Sequence, residues 1–228
     1  MKQILAIGGG GFTEPDPSYK IEKFLLSLSK KEKPKICFLP QASAEANEYI
    51  IKFYDAFLRL GANPSWISLF GRVEDSWREK LLSQDIIYVG GGNTKSMIAL
   101  WNAWGLDHVL KKAYEKGIIL SGISAGAICW FEQGITDSVW PLGVVDGLGL
   151  LQGSICPHFD SEVERQVAYK TFVENKRIKP GLALEDETSA YFIDGKLDSI
   201  VQSDTNKKAY QIHDDSSLTA LDHLIKQL

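Results

Sequence analysis

Short apolar runs that alternate with longer amphipathic stretches constrain this chain more than any other feature, because that alternation builds strands laid parallel with helices crossing between them. The first run, Ile4-Leu5-Ala6-Ile7, is closed by Gly8 to Gly11. Tyr19 to Ser29 then sets Ile21, Phe24, Leu25 and Leu28 at the spacing of one helix face. A second strand, Ile36 to Leu39, stops at Pro40, and Ala44 to Leu60 reads as a helix capped by Gly61. Trp66 to Phe70 is the third expected strand. Asp85 to Val89 is apolar on both faces, hence central, and runs straight into Gly90-Gly91-Gly92-Asn93-Thr94, whose polar pair suits a helix cap. A helix over Leu106 to Glu115 leads to the inner strand Ile118-Ile119-Leu120, which ends at Ser121-Gly122-Ile123-Ser124-Ala125-Gly126.

The later part is less regular. The glycine-rich stretch 133–149 is read as loops and short strands over the mouth of the sheet. Ser161 to Lys176 is helical, Gly181 to Leu184 is a strand, and Ala190 to Val201 is a hairpin around Asp194-Gly195. The expectation is one α/β domain over 1–228: a mainly parallel sheet with helices on both faces, plus a C-terminal β-hairpin.

Composition sets the exclusions. With 228 residues, 44% hydrophobic and 24% charged, the chain carries enough apolar mass for a packed core. A formal net charge of -4 and no long basic run argue against nucleic acid as a partner. Three cysteines, Cys37, Cys129 and Cys156, lack the pairing and spacing of a disulfide framework or a zinc site, which fits a reducing cytoplasm. No secretory h-region and no 18-residue apolar stretch occur, so neither export nor a membrane span is expected.

The chemistry points to Gly122-Ile123-Ser124-Ala125-Gly126, a G-x-S-x-G pentapeptide between an apolar strand and a stretch able to start a helix. A serine on such a turn projects its hydroxyl above the sheet, and the amides of Ala125 and Gly126 face any anion formed beside it. Gly90 to Gly92 end another inner strand, so they share that rim and offer a second oxyanion donor. Of the four histidines, His158 follows a short apolar strand and a proline, and is the candidate base. His108, His213 and His223 read as peripheral. A carboxylate must orient the imidazole. Glu185, Asp186 and Glu187 follow the strand Gly181 to Leu184, and Asp137 is a rival.

Taken together, Tyr88 to Thr94, Gly122 to Ala127, Pro157-His158-Phe159 and Gly181 to Thr188 resemble peptidase family S51, which groups dipeptidase E with the cyanophycinases. The resemblance implies a flavodoxin-like fold of the kind shared with class I glutamine amidotransferases, and a serine hydrolase acting on small peptides. It makes Ser124 the nucleophile, His158 the base, and the amides of Gly91 or Gly92 with Ala125 the oxyanion donors. For the acid it divides between Asp186 or Glu185 and Asp137; Asp186 is preferred because it follows a strand. Asn93 and Arg165 are the candidate substrate-binding residues, Arg165 having a helix-surface alternative. No cofactor or metal is called for, and the expected partners are a small peptide and, optionally, a second copy in a homodimer. Two other readings stand beside this one. One is an esterase of the α/β-hydrolase kind using His213 or His223, and the other a non-catalytic module cradling phosphate at Gly8 to Gly11 and Gly90 to Gly92.

Overall fold

The computed structural model describes residues 1–226. The N-terminal part alternates β1 (Gln3–Ile7), α1 (Lys20–Ser27), β2 (Lys35–Leu39), α2 (Asn47–Arg59), β3 (Asn63–Trp66), α3 (Trp77–Leu82) and β4 (Ile86–Val89). It continues through α4 (Thr94–Trp104), α5 (Leu106–Glu115), β5 (Ile119–Ile123) and the single-turn α6 (Ala125–Ile128). The remainder is strand-rich: β6 (Phe131–Thr136), β7 (Gly143–Asp146), β8 (Leu151–Cys156), α7 (Val163–Glu174), β9 (Gly181–Leu184), β10 (Thr188–Ile193), β11 (Lys196–Gln202), β12 (Ala209–Ile212) and β13 (Leu218–Ala220).

These strands form two sheets. The first has seven strands in the order β11-β10-β1-β5-β4-β2-β3, and its five strands from β1 to β3 run parallel. The 190–201 hairpin is not an appendage: β10 pairs antiparallel with β1, so β10 and β11 extend this sheet. The second sheet has six strands, in the order β13-β12-β9-β8-β6-β7, with β6, β8 and β9 mutually parallel.

Alternation of side chains across the pleat explains the layering. Leu5, Ile7, Ile36, Phe38, Ile86 and Tyr88 point to the face covered by α1 and α2, where Phe53 stacks on Phe38 with ring centroids 4.3 Å apart. Ile4, Ala6, Cys37, Leu39, Ile87 and Val89 point the other way, into a cluster shared with α3, α4, α5 and with Leu151, Ile155, Leu182 and Leu184 of the second sheet. One apolar core therefore spans both sheets, and α7 closes the far face of the second through Tyr169, Phe172 and Val173.

Three expectations need correction. The stretch 133–149 does not merely lie over the sheet mouth; it supplies β7 and most of β6 to a second sheet, which places β9 there as well. The third strand is Asn63–Trp66, because Asn63 to Trp66 pair with Lys35 to Phe38; Ile67 and Leu69 are buried after the chain has left the edge, and Phe70 is 59% exposed. The helix expected from Ala44 begins at Asn47, since Ala44 and Glu45 adopt left-handed backbone that cannot join a helix.

Candidate active site

Ser124 sits where β5 turns into α6, at φ 57° and ψ -114°, a conformation disfavoured for any residue with a Cβ. The flanking glycines permit it. A Cβ at Gly122 would run into the Gly126 backbone, and one at Gly126 would run into the Val89 carbonyl. The bend is held by Ser124 N donating to Ile7 O at 3.0 Å, and by the Ala127 and Ile128 amides donating to Ser124 O at 2.9 and 3.0 Å. The Ala125 and Gly126 amides head a helix turn and have no carbonyl one turn earlier in it.

His158 follows β8, Asp186 follows β9, and these are adjacent parallel strands, so the two side chains meet above one sheet edge. His158 Nδ1 and Asp186 Oδ1 are 2.7 Å apart. Burial alone would raise the Asp186 carboxyl. Hydrogen bonds from His158 and Ser161, with the charges of His158 and Lys207, outweigh burial and hold it below its ordinary value. Ser124 and His158 line one cavity of about 290 Å³ together with Gly92, Asn93, Asp137, Ser138, Glu162 and Arg165. Among the described residues no hydrogen bond joins Ser124 Oγ to the imidazole; the two residues share the lining of this cavity.

The other candidate acids have different partners. Glu185 accepts from the Lys208 amide at 2.8 Å and from the Tyr210 hydroxyl at 3.2 Å. Asp137, 60% exposed, lies 3.5 Å from Arg165 Nη2. Arg165 is no helix-surface residue: only 2% exposed, its Nε donates to Glu162 at 2.5 Å and its Nη1 to the Ile135 carbonyl at 2.9 Å. Asn93 caps α4 by accepting from Ser96 N at 2.8 Å and donates to Ser138 O at 3.1 Å, so both ends of its amide are engaged. The Gly91 amide donates to the Tyr49 hydroxyl at 3.1 Å, whereas among the described residues the Gly92 and Ala125 amides have no such partner.

Gly9, read from sequence only as part of a phosphate cradle, Glu187, read only as one of the acidic trio, and Glu22, which sequence reasoning passed over, complete the seat. Gly9 lies against the His158–Asp186 pair: a Cβ there would overlap Asp186 Oδ1 and come within 2.6 Å of His158 Nδ1. Glu187 accepts from Gly11 N at 2.9 Å while its own amide donates to Gly9 O at 3.0 Å. Glu22 accepts from Phe12 N at 2.7 Å. Burial raises the carboxyls of both Glu187 and Glu22. With one carboxylate on its Gly11 amide and a second on the adjoining Phe12 amide, the first glycine run opposes an anion, contrary to the phosphate-cradle reading. The only early signal was its length, since a strand end needs fewer than four glycines to turn. His213 bonds Thr219 at 2.9 Å, outside this cavity. The thiols are inert: burial pushes Cys37 and Cys156 up to about 12, and Cys129 well above its ordinary value.

A serine on a strained strand-to-helix turn, at the carboxyl ends of parallel strands in a two-sheet α/β fold, defines a serine-type hydrolase. The comparisons narrow this. Residues 4–200 match the model of Peptidase family S51, and the chain belongs to that family of serine-type peptidases. A relative from Bacillus subtilis (strain 168), "Uncharacterized peptidase YgaJ", is 46% identical over 212 residues, covering 93% of this chain and 92% of its own. Two solved structures share the fold. A peptidase from an acI-B1 Actinobacterium has a TM-score of 0.72 at 18% identity, over 97% of this chain and 94% of its own. A putative peptidase E protein from Listeria monocytogenes EGD-e has a TM-score of 0.66 at 17% identity, over 90% of this chain and 100% of its own. No described helix is long and apolar enough to cross a membrane.

Proposed function

We propose that this peptidase removes single residues from small peptides bearing a free N-terminus, through an acyl-enzyme on Ser124 with His158 as general base and Asp186 as its orienting acid. The observation that carries the reading is the 2.7 Å His158–Asp186 pair on the rim of the cavity that also exposes Ser124. Asp186 fixes the imidazole with Nδ1 protonated, which turns Nε2, the proton-accepting nitrogen, to the cavity. His158 takes the Ser124 proton as Oγ adds to the scissile carbonyl, and the amides of Gly92 and Ala125 receive the oxyanion. The protonated imidazole then hands its proton to the leaving amine. Water, deprotonated by the same nitrogen, releases the acyl group and restores the serine.

Charge balance supports the free amine. The single cation among the cavity-lining residues other than His158, Arg165, faces two carboxylates, Glu162 and Asp137, so the wall is left net negative. A substrate ammonium complements that wall, and an acidic N-terminal side chain finds no uncompensated guanidinium. A strict requirement for N-terminal aspartate is therefore not part of the proposal.

The test pairs a serine-directed fluorophosphonate with a dipeptide panel in free and N-acetylated forms. The wild type should label at Ser124 and cleave free dipeptides, while Ser124→Ala and His158→Ala lose both activities. Labelling that survives Ser124→Ala would overturn the chemistry. Labelling at Ser124 with faster cleavage of the acetylated peptides would keep the chemistry and overturn the amine reading.

A further inference from the structure

Eight large apolar side chains are exposed among the described residues, and three of them, Trp140, Val163 and Val167, line one groove. Trp140 is 81% exposed, beyond what a lone surface tryptophan needs when an apolar neighbour is at hand. Trp140, Pro141 and Leu142 form one wall of a groove of about 640 Å³; Val163, Val167, Ala168 and Phe172 form the other. The second wall is a helix face, because Val163 and Val167 are four residues apart on α7.

The charges on this groove identify its occupant. Glu164 in the first turn of α7 and Arg177 just beyond its last turn both line it, and both are exposed. Neither forms an ion pair among the described residues; Arg177 instead lies over the Phe172 ring at 4.2 Å. A helix of 12 residues is about 18 Å long, so the surface carries a negative end, an apolar middle and a positive end. Such a surface is complementary to itself when turned end for end, which is what a two-fold interface requires. The geometry points to a second copy of this chain as the occupant. The two α7 helices pack antiparallel, Glu164 of each copy beside Arg177 of the other, with Trp140 and Leu142 covering the Val163–Val167 face opposite.

The interface would adjoin the catalytic cavity without lining it. Asp137 and Ser138 of the cavity lead directly into Val139 and Trp140, and Glu162 leads into Val163. This inference stands apart from the triad assignment, since it rests on a different surface and is read by mass.

Sedimentation velocity and light scattering on the full chain across the micromolar range provide the test. The wild type should be a dimer. Glu164→Arg and Arg177→Glu, both at exposed positions, should each weaken dimerisation about tenfold or more by setting like charges together twice per interface. The double charge reversal should restore the dimer. Val167→Asp should give a monomer with an unchanged circular dichroism spectrum. A wild type that stays monomeric throughout overturns the proposal, whatever peptides it binds. So does a dimer indifferent to all four variants, or one in which the double reversal is no better than the singles.

Discussion

Replacing Gly9 by alanine should inactivate the enzyme although no chemical group is lost. Gly9 φ is not positive, so alanine is tolerated by the backbone and the effect comes from the added methyl alone. That carbon would stand 2.6 Å from His158 Nδ1 and 2.7 Å from Cε1, against the 3.4 Å at which ordinary contact begins, and it would also overlap Asp186 Oδ1. The imidazole must therefore retreat by about 0.8 Å, or the His158–Asp186 hydrogen bond must open. Misplacement by about 1 Å in such a site costs roughly 10²-fold in rate. Overpacking should lower stability by about 1–3 kcal/mol, which leaves a folded protein to measure. The assay is the rate constant for fluorophosphonate labelling of Ser124, which needs no knowledge of the substrate, taken beside the melting temperature. Gly71→Ala is the control, since its Cβ would meet only Ser68 Oγ at 3.9 Å. If Gly9→Ala labels within twofold of wild type, the first glycine run is not the seat of the His–Asp pair.

Asp186→Asn should lower kcat by about four orders of magnitude, the size expected when the orienting acid can no longer hold the imidazole tautomer. Asp137→Asn should act mainly on KM, because it loosens Arg165 and removes wall charge; equal kcat losses in the two variants would contradict the assignment of the acid. Asp186 is held below its ordinary value in the fold, so the stability it contributes is present above its unfolded pKa and is lost as pH falls through the lowered folded one. The Asp186→Asn variant should accordingly approach wild-type stability only in strong acid, as thermal melts across pH would read. Glu22 has the opposite sign. Burial raises it, with only partial relief from the amides of Glu22 and Phe12, so the wild type loses stability as pH rises from the ordinary carboxyl value through the raised one. Glu22→Gln should raise Tm by a few degrees at neutral pH and by little in acid; a gap independent of pH would show that folding does not shift the Glu22 carboxyl.

The sequence exposed the parts of the site that obey local rules. The pentapeptide around Ser124 declares itself because only small residues allow a positive-φ serine between strand and helix, and Asn93 declares itself as a helix cap. Asp186 is preferred to Asp137 by position alone, one directly after a strand and the other in an irregular stretch; the structure sets Asp186 beside His158 and Asp137 beside Arg165. What stayed hidden depends on distant packing. For Arg165 the sequence leaves a substrate-binding and a helix-surface reading open, because α7 has no clear apolar face, with Val163 and Val167 exposed while the arginine is buried. The second sheet was illegible because its strands are short and interrupted by glycine, and because β9 joins it through pairing with β8 and β12. The role of Gly9 needed the same long-range knowledge, since its neighbours are about 150 and 180 residues away in sequence.

These hidden features share one cause: the site lies on a seam. Ser124 and Gly9 sit at the carboxyl ends of β5 and β1, adjacent parallel strands of the first sheet, while His158 and Asp186 sit at the ends of β8 and β9, adjacent parallel strands of the second. Each sheet alone presents half of the chemistry. Ser124 and His158 both hold positive φ, at 57° and 55°, a cost of about 1–3 kcal/mol each that persists only where the surroundings over-determine the backbone. At Ser124 that determination comes from its own amide donating to Ile7 O at 3.0 Å, and at His158 from Phe159 N donating to Leu184 O at 3.0 Å; Glu187 N to Gly9 O at 3.0 Å and Gly11 N to Glu187 Oε1 at 2.9 Å tie the end of β1 to the turn that follows β9. The separation of Ser124 and His158 is therefore set by how the two sheets dock, through a shared apolar core that contains neither of them. Substitutions that tilt one sheet on the other are expected to slow the chemistry before they unfold the protein.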